Sequence, residues 1–299
     1  MMKRLIPSNE GVVGIVTAFL IVGLIVIVFS VVQTVYVPQW MKENEADHME
    51  AVADQFSQLK FAIDTHCQFK DVNNPMTTSV TLGNNEMPIL TSSRSYGSIE
   101  ILPNNFMINI SYNDGLPHSN STFLNGLKYS SSNAYFLDQE YVYEAGGIIL
   151  SQHQGDTMVI KPAFIIYNSE NGDSEFNISI NLIDIIPVEN ENYISGYGSY
   201  PIKTQYISTI TMEVNNISDF TIQTKFLDSW ERFLNTSFKQ GGLKYCNDPK
   251  NIQNETFYFE KNEGQIRVIF SLEPNCDLDV NMHITITKIR TQITPGWID

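Results

Sequence analysis

The sequence predicts a mainly β protein: a long N-terminal transmembrane and amphipathic α-helix, then an antiparallel β-sandwich-like exterior domain with one short packing helix. Three observations predict it. An uncharged apolar run fills residues 12–37. Apolar residues then step by three and four from Met49 to Ile63. From Cys67 onward, short runs alternate apolar and polar residues between Asn, Gly, Ser, Asp and Pro clusters.

Composition narrows the function classes first. The chain has 299 residues, 42% hydrophobic and 11% aromatic, enough to bury a sizeable core. Its 33 acidic residues against 18 basic ones give a net charge of -15. Such a chain repels phosphate backbones, and no Lys/Arg-rich stripe offsets the repulsion, which argues against nucleic acid as a partner. The charge suits a solvated exterior or a salty medium.

No charged side chain occurs between Gly11 and Met41. As a helix, residues 12–37 would extend roughly 39 Å, more than the ~30 Å hydrocarbon core of a bilayer. Thr17, Ser30, Gln33 and Thr34 do not line up as a polar face, and a cleaved secretory signal has a shorter apolar region. The run therefore predicts a membrane-inserted helix in contact with lipid. Lys3 and Arg4 precede it, whereas Glu43, Glu45, Asp47 and Glu50 follow with Lys42, so the N-terminus is expected in the cytoplasm and the remainder outside. Four segments result: a cytoplasmic leader over 1–11, the span over 12–37, an amphipathic stalk helix over 38–66 and an extracellular β-rich domain over 67–299. In the stalk, Met49, Val52, Phe56, Leu59 and Ile63 form a seam that packs either on the chain's own domain or against copies of itself. Pro38 is expected to interrupt the helix between span and stalk.

The leader and the start of the span resemble a known family. Asn9-Glu10-Gly11 followed by Val12-Val13-Gly14-Ile15-Val16-Thr17 and a long apolar run is similar to the N-terminus of archaeal type IV pilins and archaellins, with their class III signal peptide. The resemblance implies cleavage by a prepilin peptidase between Gly11 and Val12. It also implies homo- or hetero-oligomeric pilin subunits as partners. The alternative for this segment is an uncleaved signal anchor.

In the exterior region, Phe106, Ile108, Ile110 and Tyr112 alternate with polar residues. So do Phe176, Ile178, Ile180 and Leu182, then Ile266, Val268, Phe270 and Leu272, and finally Met282, Ile284 and Ile286. A period of two with one apolar face predicts half-buried strands. Asn171-Gly172, between Ala163–Tyr167 and Phe176–Leu182, predicts a hairpin turn. Phe226, Leu227, Trp230, Phe233 and Leu234 recur at helical spacing and predict a packing helix ended by Gly241-Gly242, with Trp230 in the core. The stretch from Tyr135 to Leu150 resembles large uncharacterised archaeal surface proteins that carry a pilin-like N-terminus. That resemblance implies an envelope protein and no particular chemistry.

Six sequons place acceptors at Asn109, Asn120, Asn177, Asn216, Asn235 and Asn254. All six lie outside the membrane in the expected topology, and several are expected to carry N-glycans; Asn109 and Asn177 fall on the polar faces of their strands. Of the three cysteines, Cys246 and Cys276 are the disulfide candidate, closing a loop of about thirty residues for roughly 3 kcal/mol. Cys67 is then left over or bridges one of the others, and three buried thiols are the alternative.

Catalytic and metal patterns are missing. There is no GxSxG, HExxH or phosphate-binding loop, and His48, His66, His118, His153 and His283 lack ligand spacing. His66-Cys67 are adjacent and so point apart. The oxygens of Asn168, Glu170, Asn171, Asp173 and Glu175, or of Asp277 and Asp279, suit Ca²⁺ but lack a loop order that would hold it. Gly196-Tyr197-Gly198 is not a nucleotide fingerprint. No cofactor and no enzymatic activity are expected. The expectation is a pilin-like, membrane-anchored surface protein, possible subunit of a filament. The alternative is a monomeric tethered adhesin or binding module, with an extracellular enzyme as a third class.

Overall fold

The computed structural model describes residues 9–83, 95–113, 117–168, 175–188, 192–246, 256–270 and 279–293. Helix α1 (Asn9–Val31), a π-helical turn (Val32–Tyr36) and α2 (Val37–Phe69) follow one another without a break. In the widened turn the Val37 N–H reaches the Val32 carbonyl. Pro38, next in line, has no N–H to offer the Thr34 carbonyl, and its ring would crowd that oxygen in a regular helix. The π turn takes up this misfit, so the interruption expected at Pro38 is a local widening and the helix continues. Helix α2 ends where Lys70 turns left-handed (φ 52°) and donates to the His66 carbonyl at 2.9 Å.

Two sheets follow. The first has the spatial order β1 (Met76–Thr81), β10 (Ser199–Val214), β15 (Asp279–Gln292), β8 (Glu175–Pro187), β7 (Phe164–Asn168). The second runs β12 (Lys244–Tyr245), β13 (Thr256–Asn262), β14 (Gln265–Ile269), β11 (Ile217–Gln223), β2 (Tyr96–Asn113), β3 (Pro117–Ser132), β4 (Gln139–Glu144), β5 (Gly147–Gln152), β6 (Gly155–Ile160), with β9 (Tyr193–Gly196) also on β2. The mainly β, sandwich-like architecture read from the alternation is present. Pairing is antiparallel except for β15 with β8 and the short β12 with β13. Alternation is the same in parallel and antiparallel strands, so the sequence carried no sign of this. β7 and β8 pair as the two arms of the expected hairpin, from Phe164 opposite Ile180 to Asn168 opposite Phe176. Asn171-Gly172 itself lies outside the described residues, as does Leu272 at the end of the third predicted strand.

The third helix, α3 (Leu227–Gln240), buries Trp230, Phe233, Leu234 and Phe238 and stops at Gly241, as its spacing predicts. A Cβ on Gly241 would lie 2.5 Å from the Ile166 side chain, so only glycine lets the helix end pack on β7.

Two apolar cores sit side by side. One gathers α3 with Phe106, Ile108, Ile110, Phe220, Ile222, Phe176 to Leu182 and Val280 to Ile286. The other gathers the seam of α2 with Val80, Ile99, Leu127, Tyr129, Tyr141, Tyr143, Ile183, Ile185 and Ile289. Strand β8 shows how they relate. Its register against β15 is continuous from Glu175 to Pro187, yet Phe176, Ile178, Ile180 and Leu182 enter the first core while Ile183 and Ile185 enter the second. Even and odd side chains face opposite ways, so the strand is covered on one side near its start and on both sides from Leu182 to Ile185. Helix α2 supplies the second covering, lying against β1, β10, β15 and β4.

Candidate functional site

The site is the joint between the apolar helix and the β domain. Along α1 the large apolar side chains from Val13 to Val31 are 45–74% exposed, whichever way they point; in the π turn Val35 is 55% exposed and Val32 is half-buried. One residue past the π turn this ends: Val37 and Met41 are buried. No free stalk separates them. Met49, Val52, Phe56, Leu59 and Ile63 are all buried in the core beneath α2, so the seam packs on the chain's own domain, one of the two readings the sequence allowed. Phe56 lies 6.4 Å from the Tyr129 ring and 5.8 Å from Tyr141.

Polar contacts fix the helix along its length. The fully buried Glu45 carboxylate accepts the backbone N–H groups of Ala134 (3.0 Å), Tyr135 (2.8 Å) and Phe136 (2.6 Å). His48 Nε2 lies 3.2 Å from the Tyr129 hydroxyl, which donates to the Leu82 carbonyl. Burial pushes His48 below its ordinary pKa, against the opposing pull of the Leu82 contact and the Glu45 charge. Gln55 brackets Thr81, accepting its N–H at 2.8 Å. His66 Nε2 meets the Thr204 carbonyl and hydroxyl at 3.1 and 3.2 Å, and burial depresses its pKa too. Its neighbour Cys67 turns instead toward Thr287, and burial pushes its thiol up to about 11. The two side chains point apart, as adjacency on a helix requires.

A second buried carboxylate holds α3. Glu144, at the end of β4, accepts the Thr224 hydroxyl and the Trp230 indole N–H, each at 2.7 Å, and the Asn105 amide. Desolvation still outweighs these donors and raises the carboxyl to about 7, with Asp156 adding to the rise. Asn105 belongs to a bulge in β2, where the register against β3 shifts between Leu102 and Phe106 and Asn104 is left-handed (φ 49°). Beside it, Asn125 donates its N–H and its amide to Asp184 of β8 at 3.0 and 3.1 Å, tying the two sheets together. Burial raises Asp184 above the usual carboxylate range. The stretch from Tyr135 to Leu150 thus begins on Glu45, runs through the doubly covered β4 and turns at left-handed Ala145 and Gly146 just after Glu144.

The other sequence-level candidates do not converge. Gly11 and Val12 fall within α1. Asn120 and Asn216 are exposed; Asn109 and Asn177 are half-buried on their strands, their carbonyls accepting from Ser121 Oγ at 3.1 Å and Asn281 Nδ2 at 3.5 Å. Asn235, on α3, has a buried side-chain oxygen with no partner. Asn254, Cys276, Asp277 and most of the candidate calcium oxygens lie outside the described residues, and so does the Cys246–Cys276 bridge. An open groove of about 520 Å³ on the outer face of the first sheet is lined by Ile165, Tyr167, Asn177 and His283, with His283 3.8 Å from Glu213. Among the described residues no three His, Cys, Asp or Glu side chains form a cluster able to hold a metal ion.

On sequence alone Glu45 reads as one of the charges flanking the span, and Glu144 carries no assigned role. The signal for Glu45 was its place on the seam, at the spacing Met41, Glu45, Met49. For Glu144 it was a lone acid inside Tyr141-Val142-Tyr143-Glu144-Ala145. Comparison with protein-family models, with characterised proteins and with solved structures finds no match to this chain.

Proposed function

We propose that this is a pilin-like, membrane-anchored surface protein whose β-rich domain stands outside the cell, non-catalytic, and a candidate minor subunit of an archaeal type IV pilus-like filament. The observation that carries the reading is the apolar helix, exposed on every face from Val13 to Val31, just before the domain begins. So large an apolar surface needs lipid, or the helices of neighbouring subunits, to cover it. The excess of Lys3 and Arg4 at the N-terminus supports a cytoplasmic leader. Mass spectrometry of the N-terminal peptide from native membranes tests the processing: a mature start at Val12 supports it, and a start at Met1 or Met2 removes it.

One observation favours a tethered monomer instead. The α2 seam is consumed by its own domain, which leaves only residues 13–36 for helix contacts between subunits. Fractionation separates the two. Recovery in sheared filaments supports the subunit reading, and recovery solely in the detergent-soluble membrane fraction supports the tethered adhesin or binding module.

A further inference from the structure

The lower end of the second sheet carries a group of exposed aromatic side chains at the level where α1 gives way to the domain. Levels along α2 can be matched to the β3–β4 hairpin: Glu45 holds the loop at 134–136, His48 meets Tyr129 of β3, and Phe56 meets Tyr141 of β4. The hairpin therefore lies alongside α2, with its loop at the end nearest the apolar helix. Strand pairing brings two more residues there. Tyr96 stands opposite Ser132, and Gly97 stands opposite Gly196, next to Tyr197, whose ring is 6.3 Å from that of Tyr96. On the helix, Tyr36 and Trp40 are 5.9 Å apart. Tyr36, Trp40, Tyr96, Tyr135, Leu137 and Tyr197 are each 38–54% exposed.

The helix sets the height of this group. Glu45 is five residues beyond Trp40, a rise of roughly 7.5 Å. The headgroup layer of one leaflet is about 5–7 Å thick. A Tyr/Trp pair closing an apolar span belongs at the edge of that layer, and the Glu45-bound loop then falls within or just above it. Tyrosine is suited to this position, with an apolar ring and a hydroxyl that stays wet. The charged neighbours, Glu43, Asp47 and Asp138 with Lys42, are mostly acidic, so attraction to anionic lipid is not what would hold the surface down.

We propose, resting on the membrane-anchored reading above, that this end of the β domain is a second membrane contact: Tyr96, Tyr135, Leu137 and Tyr197 sit in the lipid headgroup region beside the span, their side chains reaching its boundary with the acyl chains. The domain then rests on the bilayer in a set orientation, with its first core and α3 held away from the surface.

The test uses the full chain in phosphatidylcholine vesicles with brominated acyl chains, which quench tryptophan by contact. Wild type carries Trp40, Trp230 and Trp297, and quenching of Trp40 reports that the helix is inserted. In Leu137→Trp, the emission added over wild type should shift to the blue and fall roughly twofold, as a ring at the headgroup–acyl boundary requires. Tyr135→Trp is a second variant with the same expectation. Tyr167→Trp, on β7 beyond the far end of α2, should keep its added emission. Quenched Trp40 with unquenched tryptophans at 135 and 137 overturns the second contact while leaving the anchor in place. Unquenched Trp40 overturns the anchor itself, and the contact falls with it. Binding that requires anionic lipid also overturns the proposal, since an acidic surface held by charge would need a different mechanism.

Discussion

The backbone N–H of Tyr135 donates to the Glu45 carboxylate at 2.8 Å, across 90 residues of sequence. With Ala134 and Phe136 doing the same, one carboxylate satisfies three loop N–H groups in a site closed to water. Glu45→Ala leaves those donors buried and unpaired. The expected loss is roughly 3 kcal/mol of unfolding free energy, with Glu45→Gln losing less. Hydrogen exchange checks the location: residues 134–136 should exchange faster in the Ala variant while α3 stays protected. Equal protection of the loop in both proteins would contradict the assignment.

Glu144 makes the protein less stable as pH rises. Its carboxyl is raised from 4.5 to about 7 in the folded chain, so between those values the folded state holds a proton that the unfolded chain has released. Stability is therefore greatest below 4.5 for this group and is lost as pH climbs through about 7, on the order of 3 kcal/mol in total. His48 and His66, depressed by burial, act in the opposite direction: they cost stability as pH falls below 6.5. Glu144→Gln separates the two effects, since the amide still accepts from Thr224 and Trp230 and Asn105 can turn its own oxygen toward it. Urea unfolding at pH 6 and pH 8 should show wild type losing stability at the higher pH and the Gln variant losing much less.

Phe56→Ala opens a cavity between α2 and the rings of Tyr129 and Tyr141, at a cost of about 3–5 kcal/mol. Phe61, five residues on, faces outward and is exposed, and Phe61→Ala should change stability little. Thermal melts of the two variants in the same detergent give the comparison. Similar losses at both positions would contradict the packing of the seam.

The Cys67 thiol is pushed up to about 11 by burial, so it has almost no thiolate at neutral pH. Alkylation at pH 7.5 followed by peptide mapping should leave Cys67 unmodified in the folded protein and modified after denaturation. Rapid labelling of the folded chain would contradict the raised thiol pKa of this half-buried residue.

Exposure ranks the glycan acceptors. Asn120 and Asn216 are exposed, whereas the Asn235 side-chain oxygen is buried. Where the native protein carries N-glycans, glycopeptide mapping should find Asn120 and Asn216 occupied before Asn235. Occupancy at Asn235 alone would reverse the ranking.

Much of this architecture is legible in local periodicity. A run without charges over residues 12–37 marks a helix long and apolar enough to cross a membrane. The steps from Met49 to Ile63 mark one buried face of a helix. Trp230 and its neighbours mark another, and the alternations through Phe106, Phe176 and Met282 mark strands. Each of these features depends on residues a few positions apart, where helix and strand geometry already dictates which side chains share a face.

The tertiary structure alone decided the rest, because it depends on residues that are distant in sequence. The parallel pairing of β8 with β15 leaves no trace in either strand's alternation. Ile183 and Ile185 face away from the side that Phe176 marks and are buried because distant strands and the α2 seam gather there into a second core. Glu45 and Glu144 look like solvated acids until the loop at 134–136 and the Trp230 indole are brought against them. A carboxylate is stable in a dry interior only when enough donors converge on it, and those donors come together only when the chain has folded.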